Sequence, residues 1–454
     1  MVGFAEQAGH TITPDPAEAD VLVVNTCAFI DSAKKESVDA ILEMAEHKKA
    51  GRCRRLIVTG CLGERYRDEL RRELPEVDVV LGTNEVPAIV GAIENRDQGV
   101  PLAFHRVRPS ETGVTREASV VAVDPAPVRV LPTYLYDADT PRTLTTPRHF
   151  AYLKIAEGCD YKCSFCIIPT LRGEYRSRAA DSIVREAAAL AARGVRELLL
   201  ISQDTTFYGV DRGERGALGR LLRELNGIEG LAWIRLLYLY PTTVTTDTLE
   251  AMAACEKVCR YVDVPLQHAS DPVLKRMRRP GTRASYERLI EKIRRLVPGV
   301  AIRTTFIVGF PGETAEDFEQ LYTFVESQRF DHVGVFTYSH EEGTTAGELD
   351  DNVPRRVKEQ RRRRLMSLQK RVVRRANRGR IGTEVRVLVE GPSPEHPLVL
   401  RGRLEGQAPD IDSVVYLSEA DPAVCRPGDL IQGRVVAAQG YDLVVSPLSG
   451  PDSA

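Results

Sequence analysis

Cys159-Asp160-Tyr161-Lys162-Cys163-Ser164-Phe165-Cys166 is the stretch that decides how this chain is read. Three thiols fall within eight residues, a spacing that one loop can wrap around a single 4Fe-4S cubane while leaving its fourth iron without a protein ligand. An iron left open in this way can chelate the amino and carboxylate groups of S-adenosylmethionine and pass an electron to its sulfonium, releasing a 5'-deoxyadenosyl radical. A structural zinc loop is the alternative, but such sites complete four ligands and no fourth Cys or His lies close by in sequence.

Working outward, the thiols directly follow a strand candidate at 152–156. Further candidates at 197–202, 234–239, 260–264, 300–308 and 333–338 alternate with helical segments. Six strand-helix units predict a partial (β/α)6 barrel, in which reactive groups lie at the carboxyl ends of the strands. The helix from Asp181 shows the local logic: Asp181 is placed to cap it, Ile183, Val184, Ala187, Leu190 and Ala191 make one face, and Gly194 ends it. At the same barrel mouth, Gln203-Asp204 and Gln267-His268 are candidates for holding cofactor or substrate, against the simpler reading of ordinary polar loop residues. Ile307-Val308-Gly309-Phe310-Pro311-Gly312-Glu313-Thr314 runs a strand into a Gly-rich turn. Gly309 and Gly312 would allow close backbone approach to a cofactor, and Thr314 with Asp317 is placed for a capping box.

Before the barrel, Val21–Val24, Leu56–Val58 and Val77–Leu81 alternate with helical stretches and predict a doubly wound parallel sheet. Cys27 and Cys61 follow two of these strands and would reach the same carboxyl edge, where they could share a metal or be two small buried hydrophobes. Residues 99–147, with Pro101, Pro109, Pro125, Pro127, Pro132, Pro141 and Pro147, read as a linker. Residues 353–380 are helical, with 13 Lys or Arg and only Glu359 acidic between Arg355 and Arg380; a solvated helix packing Val357, Leu365, Leu368 and Val372 inward is its plainest reading. After Gly382, short alternating strands bounded by Gly and Pro predict a small β-barrel. The organisation expected is therefore 1–98, a linker at 99–147, a core at 148–378 and a barrel at 379–450. Cys53, Cys255, Cys259 and Cys425 are read as structural, the middle two sharing a helix face.

The chain has 454 residues, 43% apolar and 28% charged, with a net charge of -2, so it carries no global basic field and no general nucleic-acid binding is expected. Nine cysteines at uneven spacings argue against a secreted disulfide framework. With no leader-like or membrane-spanning stretch, a cytoplasmic, soluble protein is expected.

At Glu157-Gly158-Cys159 through Cys166-Ile167-Ile168-Pro169, Ile201 through Gly209 and Val264-Pro265-Leu266-Gln267-His268, with Asn25-Thr26-Cys27 and Thr59-Gly60-Cys61, the chain resembles the radical S-adenosylmethionine methylthiotransferases. Asp204 after Gln203 resembles the ribosomal-protein branch more than the tRNA-modifying, MiaB-type branch, which tends to carry Asn there. The resemblance implies two 4Fe-4S clusters, a radical cluster on Cys159, Cys163 and Cys166 and an auxiliary, sulfur-presenting cluster on Cys27 and Cys61. It implies a terminal TRAM barrel, and S-adenosylmethionine contacts among Phe165, Gln203, Asp204, Gln267, Gly309, Gly312 and Glu313. No catalytic residue is assigned. The implied reaction puts a methylthio group on the β-carbon of an aspartate in small-subunit ribosomal protein twelve, with a flavodoxin or ferredoxin as electron donor. Family members carry a third auxiliary cysteine, whereas no cysteine precedes Cys27 here. An N-terminally shortened chain lacking the first strand is therefore expected, through a misassigned start or a real loss. Residues 381–450 hold ten Asp or Glu against five Arg, a net of -5, a poor surface for phosphate and a better one for a basic protein. The alternatives are methylthiolation of a tRNA adenosine, or an RNA-binding module in which Arg355–Arg380 contacts phosphate.

Overall fold

The structure is a computed structural model and describes residues 1–95 and 132–448. Much of the expected linker, with Pro101, Pro109, Pro125 and Pro127, lies outside the described residues. The chain divides into two compact units, the first containing the described residues up to Tyr134 together with Thr170–Arg172.

In the first unit, helix α1 (Val2–Gln7) precedes a parallel sheet ordered β1 (Val21–Thr26), β2 (Arg55–Gly60), β3 (Val79–Leu81). Helix α2 (Asp31–Ala50) joins β1 to β2; α3 (Cys61–Arg65) and α4 (Arg67–Glu73) join β2 to β3; α5 (Ile89–Glu94) follows. The apolar run of β2 suits a central strand covered on both faces, and Leu56, Ile57 and Val58 are fully buried.

The second unit opens with β4 (Phe150–Lys154) and a two-residue pairing of β5 (Ala156–Glu157) with β6 (Arg176–Ser177), with α6 (Ile168–Arg172) between the two in sequence. Helix α7 (Ala180–Ala192), β7 (Glu197–Ile201), α8 (Ala217–Asn226), β8 (Trp233–Leu236), α9 (Thr246–Ala254) and β9 (Tyr261–Asp263) continue the alternation. Then come α10 (Asp271–Arg276), α11 (Arg283–Leu296), β10 (Ala301–Val308), α12 (Ala315–Gln328) and β11 (His332–Thr337). Strands β4, β7 and β8 form one parallel sheet and β9, β10 and β11 another, linked by an isolated Ile234–Val258 bridge. This is the expected open barrel of six strands. In β10 the period of two separates the layers: Ile302, Thr304, Phe306 and Val308 are fully buried, while Arg303, Thr305 and Ile307 on the other face are only partly covered.

Helix α13 (Arg355–Arg380) leads into a closed barrel ordered β12 (Glu384–Pro392), β13 (Leu400–Arg403), β14 (Val415–Leu417), β16 (Asp442–Pro447), β15 (Leu430–Gln439). This small barrel packs against the amino ends of the large barrel's strands. There Arg403 pairs with Glu197, which also receives Arg235 at 2.8 Å, and Asp412 accepts from Tyr261 at 2.7 Å and Arg303 at 3.3 Å. Burial works against the Glu197 charge, but the Arg403 and Arg235 guanidiniums outweigh it and hold the carboxyl below the usual glutamate range.

Two local expectations fail. Ala179, not Asp181, occupies the N-cap of α7, and no side chain caps that helix. Asp181 lies in its first turn, where a carboxylate favours the helix dipole. Cys255 and Cys259 do not share a helix face, because α9 stops at Ala254 with Cys255 as its C-cap. Both are nonetheless buried.

Candidate radical site

The loop carrying Cys159, Cys163 and Cys166 leaves β5 at the carboxyl side of β4. It is fixed by the backbone. Cys159 N–H donates to Gly173 O (3.1 Å), Ser164 N–H to Met277 O (2.9 Å), Cys166 N–H to Cys163 O (3.1 Å), and Ser164 O accepts from Ala346 N–H (2.7 Å). Asp160 accepts from Tyr175 N–H at 2.8 Å. Gly158 turns the chain into this loop at φ 88°, and a Cβ there would lie 2.0 Å from Glu174 O. Gly158→Ala is therefore expected to cost about 1–3 kcal/mol in strain and to lower the iron bound after anaerobic reconstitution, read together by chemical denaturation and iron analysis.

Tyr161, inside the loop, stacks on Tyr240 with ring centroids 3.6 Å apart, and Arg279 covers Tyr240 at 4.1 Å. Cys163 Sγ lies 3.9 Å from Tyr240 Oη and 3.7 Å from Arg279 Nη1. Burial pushes the Cys159 thiol up to about 11 and the Cys166 thiol up to about 12, so both are neutral until a metal displaces their protons. Among the described residues, no three Cys, His, Asp or Glu side chains already converge as a metal cage. The fit to an iron–sulfur cluster rests instead on the donor set, three soft thiols on one braced loop.

The expected cofactor contacts divide into two groups. Gln203, after β7, donates through Nε2 to Glu157 at 3.1 Å, while among the described residues neither its buried Oε1 nor the buried Oε1 of Gln267 has a partner. Gln267 holds φ at 73°, a left-handed value costly for a non-glycine residue. Two orphaned acceptors on loops at the carboxyl ends of barrel strands fit a ligand with hydrogen-bond donors, such as the amino group of S-adenosylmethionine.

The other candidates are committed within the protein, which departs from the expectation of direct contact. Asp204 is fully buried, and its carboxylate accepts from Thr206 N–H (2.9 Å), Thr206 Oγ1 (2.5 Å), Tyr161 Oη (3.0 Å) and Thr243 Oγ1 (3.1 Å). It anchors the Tyr161 end of the cysteine loop. Glu313 accepts from Gly309 N–H (2.5 Å), Phe310 N–H (3.1 Å) and Arg361 (2.9 Å), closing its own turn. Gly309 is required by packing, since a Cβ would lie 2.2 Å from Lys358 Cγ, whereas Gly312 meets nothing nearer than 3.4 Å. Phe165 packs against Val273, Met277, Phe310, Tyr338 and Ala346. His268 is buried, accepting at Nδ1 from Ser270 N–H at 2.9 Å. The Thr314–Asp317 capping box is formed as expected. Lys154, which pairs with Glu157, and Tyr240 and Arg279 lie outside the quoted motifs. Glu157 had a local signal two residues before Cys159, and Arg279 had none.

In the first unit, Thr26 and Gly60 are register partners on adjacent strands. Cys27 directly follows the first strand, and Cys61 follows the second as the first residue of α3. Cys27 is exposed and Cys61 buried. Ser37 braces Cys27, accepting from its N–H at 2.9 Å and donating to its carbonyl at 3.1 Å. Gly60 adopts φ 100°, where a Cβ would lie 2.5 Å from Thr26 O.

Residues 153–325 match the Radical SAM superfamily, residues 1–82 the uncharacterized protein family UPF0004, and residues 381–447 the TRAM domain. The ribosomal protein uS12 methylthiotransferase RimO of Solibacter usitatus is 48% identical over 456 residues, covering 100% of this chain and 92% of that protein. RimO of Koribacter versatilis is 46% identical over 463 residues, covering 98% and 92%. The chain belongs to the RimO family. As a member of that family it is a radical S-adenosylmethionine methylthiotransferase, and its fold agrees with solved structures. The radical S-adenosylmethionine methyltransferase TsrM from Kitasatospora setae, with cobalamin and a [4Fe-4S] cluster bound, superposes with a TM-score of 0.52 at 18% identity, over 73% of this chain and 64% of that one. Its complex with tryptophan and a SAM analogue gives 0.50 at 19% identity, over 74% and 64%. This chain thus spans under two thirds of TsrM, and that likeness concerns fold alone. No described helix of this RimO-family chain is long and apolar enough to cross a membrane.

Proposed function

We propose that this chain replaces a hydrogen on the β-carbon of an aspartate in ribosomal protein uS12 by a methylthio group. The observation carrying this reading is the 48% identity to a uS12 methylthiotransferase along the whole chain. Cys159, Cys163 and Cys166 hold the radical cluster, and Cys27 and Cys61 supply two thiols to an auxiliary cluster. When bound, the clusters and S-adenosylmethionine supply hydrogen abstraction, sulfur and methyl group, with a flavodoxin or ferredoxin as electron donor. The chain's own residues hold these groups: Gln203 and Gln267 offer acceptors to S-adenosylmethionine, while Asp204, Tyr161 and Tyr240 keep the cysteine loop in place. The net charge of -5 over residues 381–450 favours a basic protein as substrate. Cytoplasmic location follows from a ribosomal substrate.

The test offers reconstituted protein, under anaerobic conditions with dithionite and S-adenosylmethionine, purified uS12 and tRNA side by side. Mass spectrometry is expected to find one methylthio group on uS12 and none on tRNA. A gain on tRNA alone would overturn this reading.

A further inference from the structure

The charge run of α13 is partly neutralised in its first half, where four of seven cations have carboxylate partners and Arg355, Arg356 and Arg363 have none among the described residues, and not in its second. In the first, Lys358 pairs with Asp351 (2.6 Å), Arg361 with Glu313 (2.9 Å), Arg362 with Glu359 (3.2 Å) and Arg364 with Glu319 (3.2 Å). In the second, Lys370, Arg371, Arg374, Arg375, Arg378 and Arg380 are all exposed, and among the described residues none of the six pairs with a carboxylate. Arg371 alone has a side-chain partner, the neutral Tyr322 hydroxyl at 2.9 Å. Lys370, Arg374 and Arg378 stand four residues apart, as do Arg371 and Arg375, so like charges recur about every 6 Å along one face. Such pairs destabilise a helix, and the helix dipole compensates only those in the last turn. A helix that merely needs solubility would intersperse acids.

The ridge ends beside a cavity of about 430 Å³ whose lining includes Arg329, Arg371, Arg375 and Arg380. Glu326 and Asp331 are the acids in that lining, and Asp331 already accepts from Ile302 N–H at 2.9 Å. The small barrel's wall of this cavity contributes no carboxylate.

We propose that this ridge docks the phosphate backbone of structured RNA. Five of its six cations are arginines, whose planar forks bind phosphate bidentately. No large apolar side chain is exposed along α13, which argues against a membrane surface. The local ridge thus stands apart from a chain with no net basic charge. That the RNA is ribosomal rests on the function proposed above; the phosphate chemistry does not.

The test measures binding of the reconstituted full chain to a fluorescent RNA hairpin across a salt series, with polyglutamate and anionic vesicles as competing probes. The combined Arg371→Ala, Arg374→Ala, Arg375→Ala and Arg378→Ala variant is expected to lose about tenfold or more in RNA affinity and about 3–4 from the salt slope. Lysines at the same positions should restore most of the slope. On free uS12 the alanine variant should keep its kcat/KM, and on assembled small subunits it should lose it in step with RNA affinity. An unchanged RNA affinity in a normally folded variant, or equal binding of polyglutamate or vesicles, would overturn the proposal. Loss of RNA binding in a protein that never modifies uS12 would instead leave the ridge standing and sink the function proposed above.

Discussion

Serine at Cys159, Cys163 or Cys166 is expected to abolish release of 5'-deoxyadenosine and to remove one cubane's complement of iron from the reconstituted protein. The fall in turnover should reach about 10⁶-fold or more, the ordinary span of enzymic acceleration, because no other group in the barrel supplies this chemistry. Stability should change by about 1 kcal/mol or less, since the loop is held by Ser164, Asp160 and the Tyr161–Tyr240 stack, not by the sulfurs. Serine at Cys27 or Cys61 should spare 5'-deoxyadenosine release in the presence of S-adenosylmethionine and dithionite while stopping sulfur insertion. Activity surviving any of the three barrel substitutions would show that the cluster is held elsewhere.

The largest stability effect is expected at Glu197. This carboxylate is fully buried between Arg235 and Arg403, themselves at most 1% exposed, so Glu197→Gln leaves Arg235 without a counter-charge and Arg403 with Glu390 alone, at 2.6 Å. Breaking a buried pair in this way costs about 3–5 kcal/mol. Replacing Glu197, Arg235, Arg403 and the Arg403 partner Glu390 together by apolar residues of similar volume should recover much of that loss, which chemical denaturation would reveal. The pH dependence has a definite sign. Because the folded carboxyl is held below its ordinary range, its stabilisation is complete above the unfolded glutamate pKa and is lost as pH falls through the folded value. The gap between the native protein and Glu197→Gln should therefore narrow toward acid pH and stay constant near neutrality. A gap independent of pH down to acid denaturation would contradict the assignment.

Much of this architecture is written locally. The alternation from Ala301 to Val308, the Thr314–Asp317 box and the glycine ending α7 each depend on neighbours a few residues apart, and all appear in the structure. Asp181 shows how narrow such signals are: the cap falls two residues earlier, at Ala179, so the expected capping residue becomes a first-turn charge. The turn at Gly309 has the sequence of one that lets a cofactor approach, while the packing that a Cβ there would meet, Lys358 on α13 at 2.2 Å, is more than forty residues away in sequence and carries no local signal. The ion network joining the small barrel to the large one was out of reach, since Glu197 and Arg403 stand 206 residues apart and each alone looks like an ordinary surface charge. Tyr240 and Arg279 escaped for the same reason. They meet Tyr161 and Cys163 only after the barrel brings three loops to one mouth.

The most direct test of the proposed function uses uS12 carrying deuterium at its aspartate β-carbons, incubated anaerobically with reconstituted protein, S-adenosylmethionine and dithionite. The account predicts that 5'-deoxyadenosine acquires deuterium while one aspartate exchanges a deuterium for a methylthio group. Methylthiolated uS12 formed with no deuterium in the 5'-deoxyadenosine, or unmodified uS12 beside modified tRNA, would contradict it.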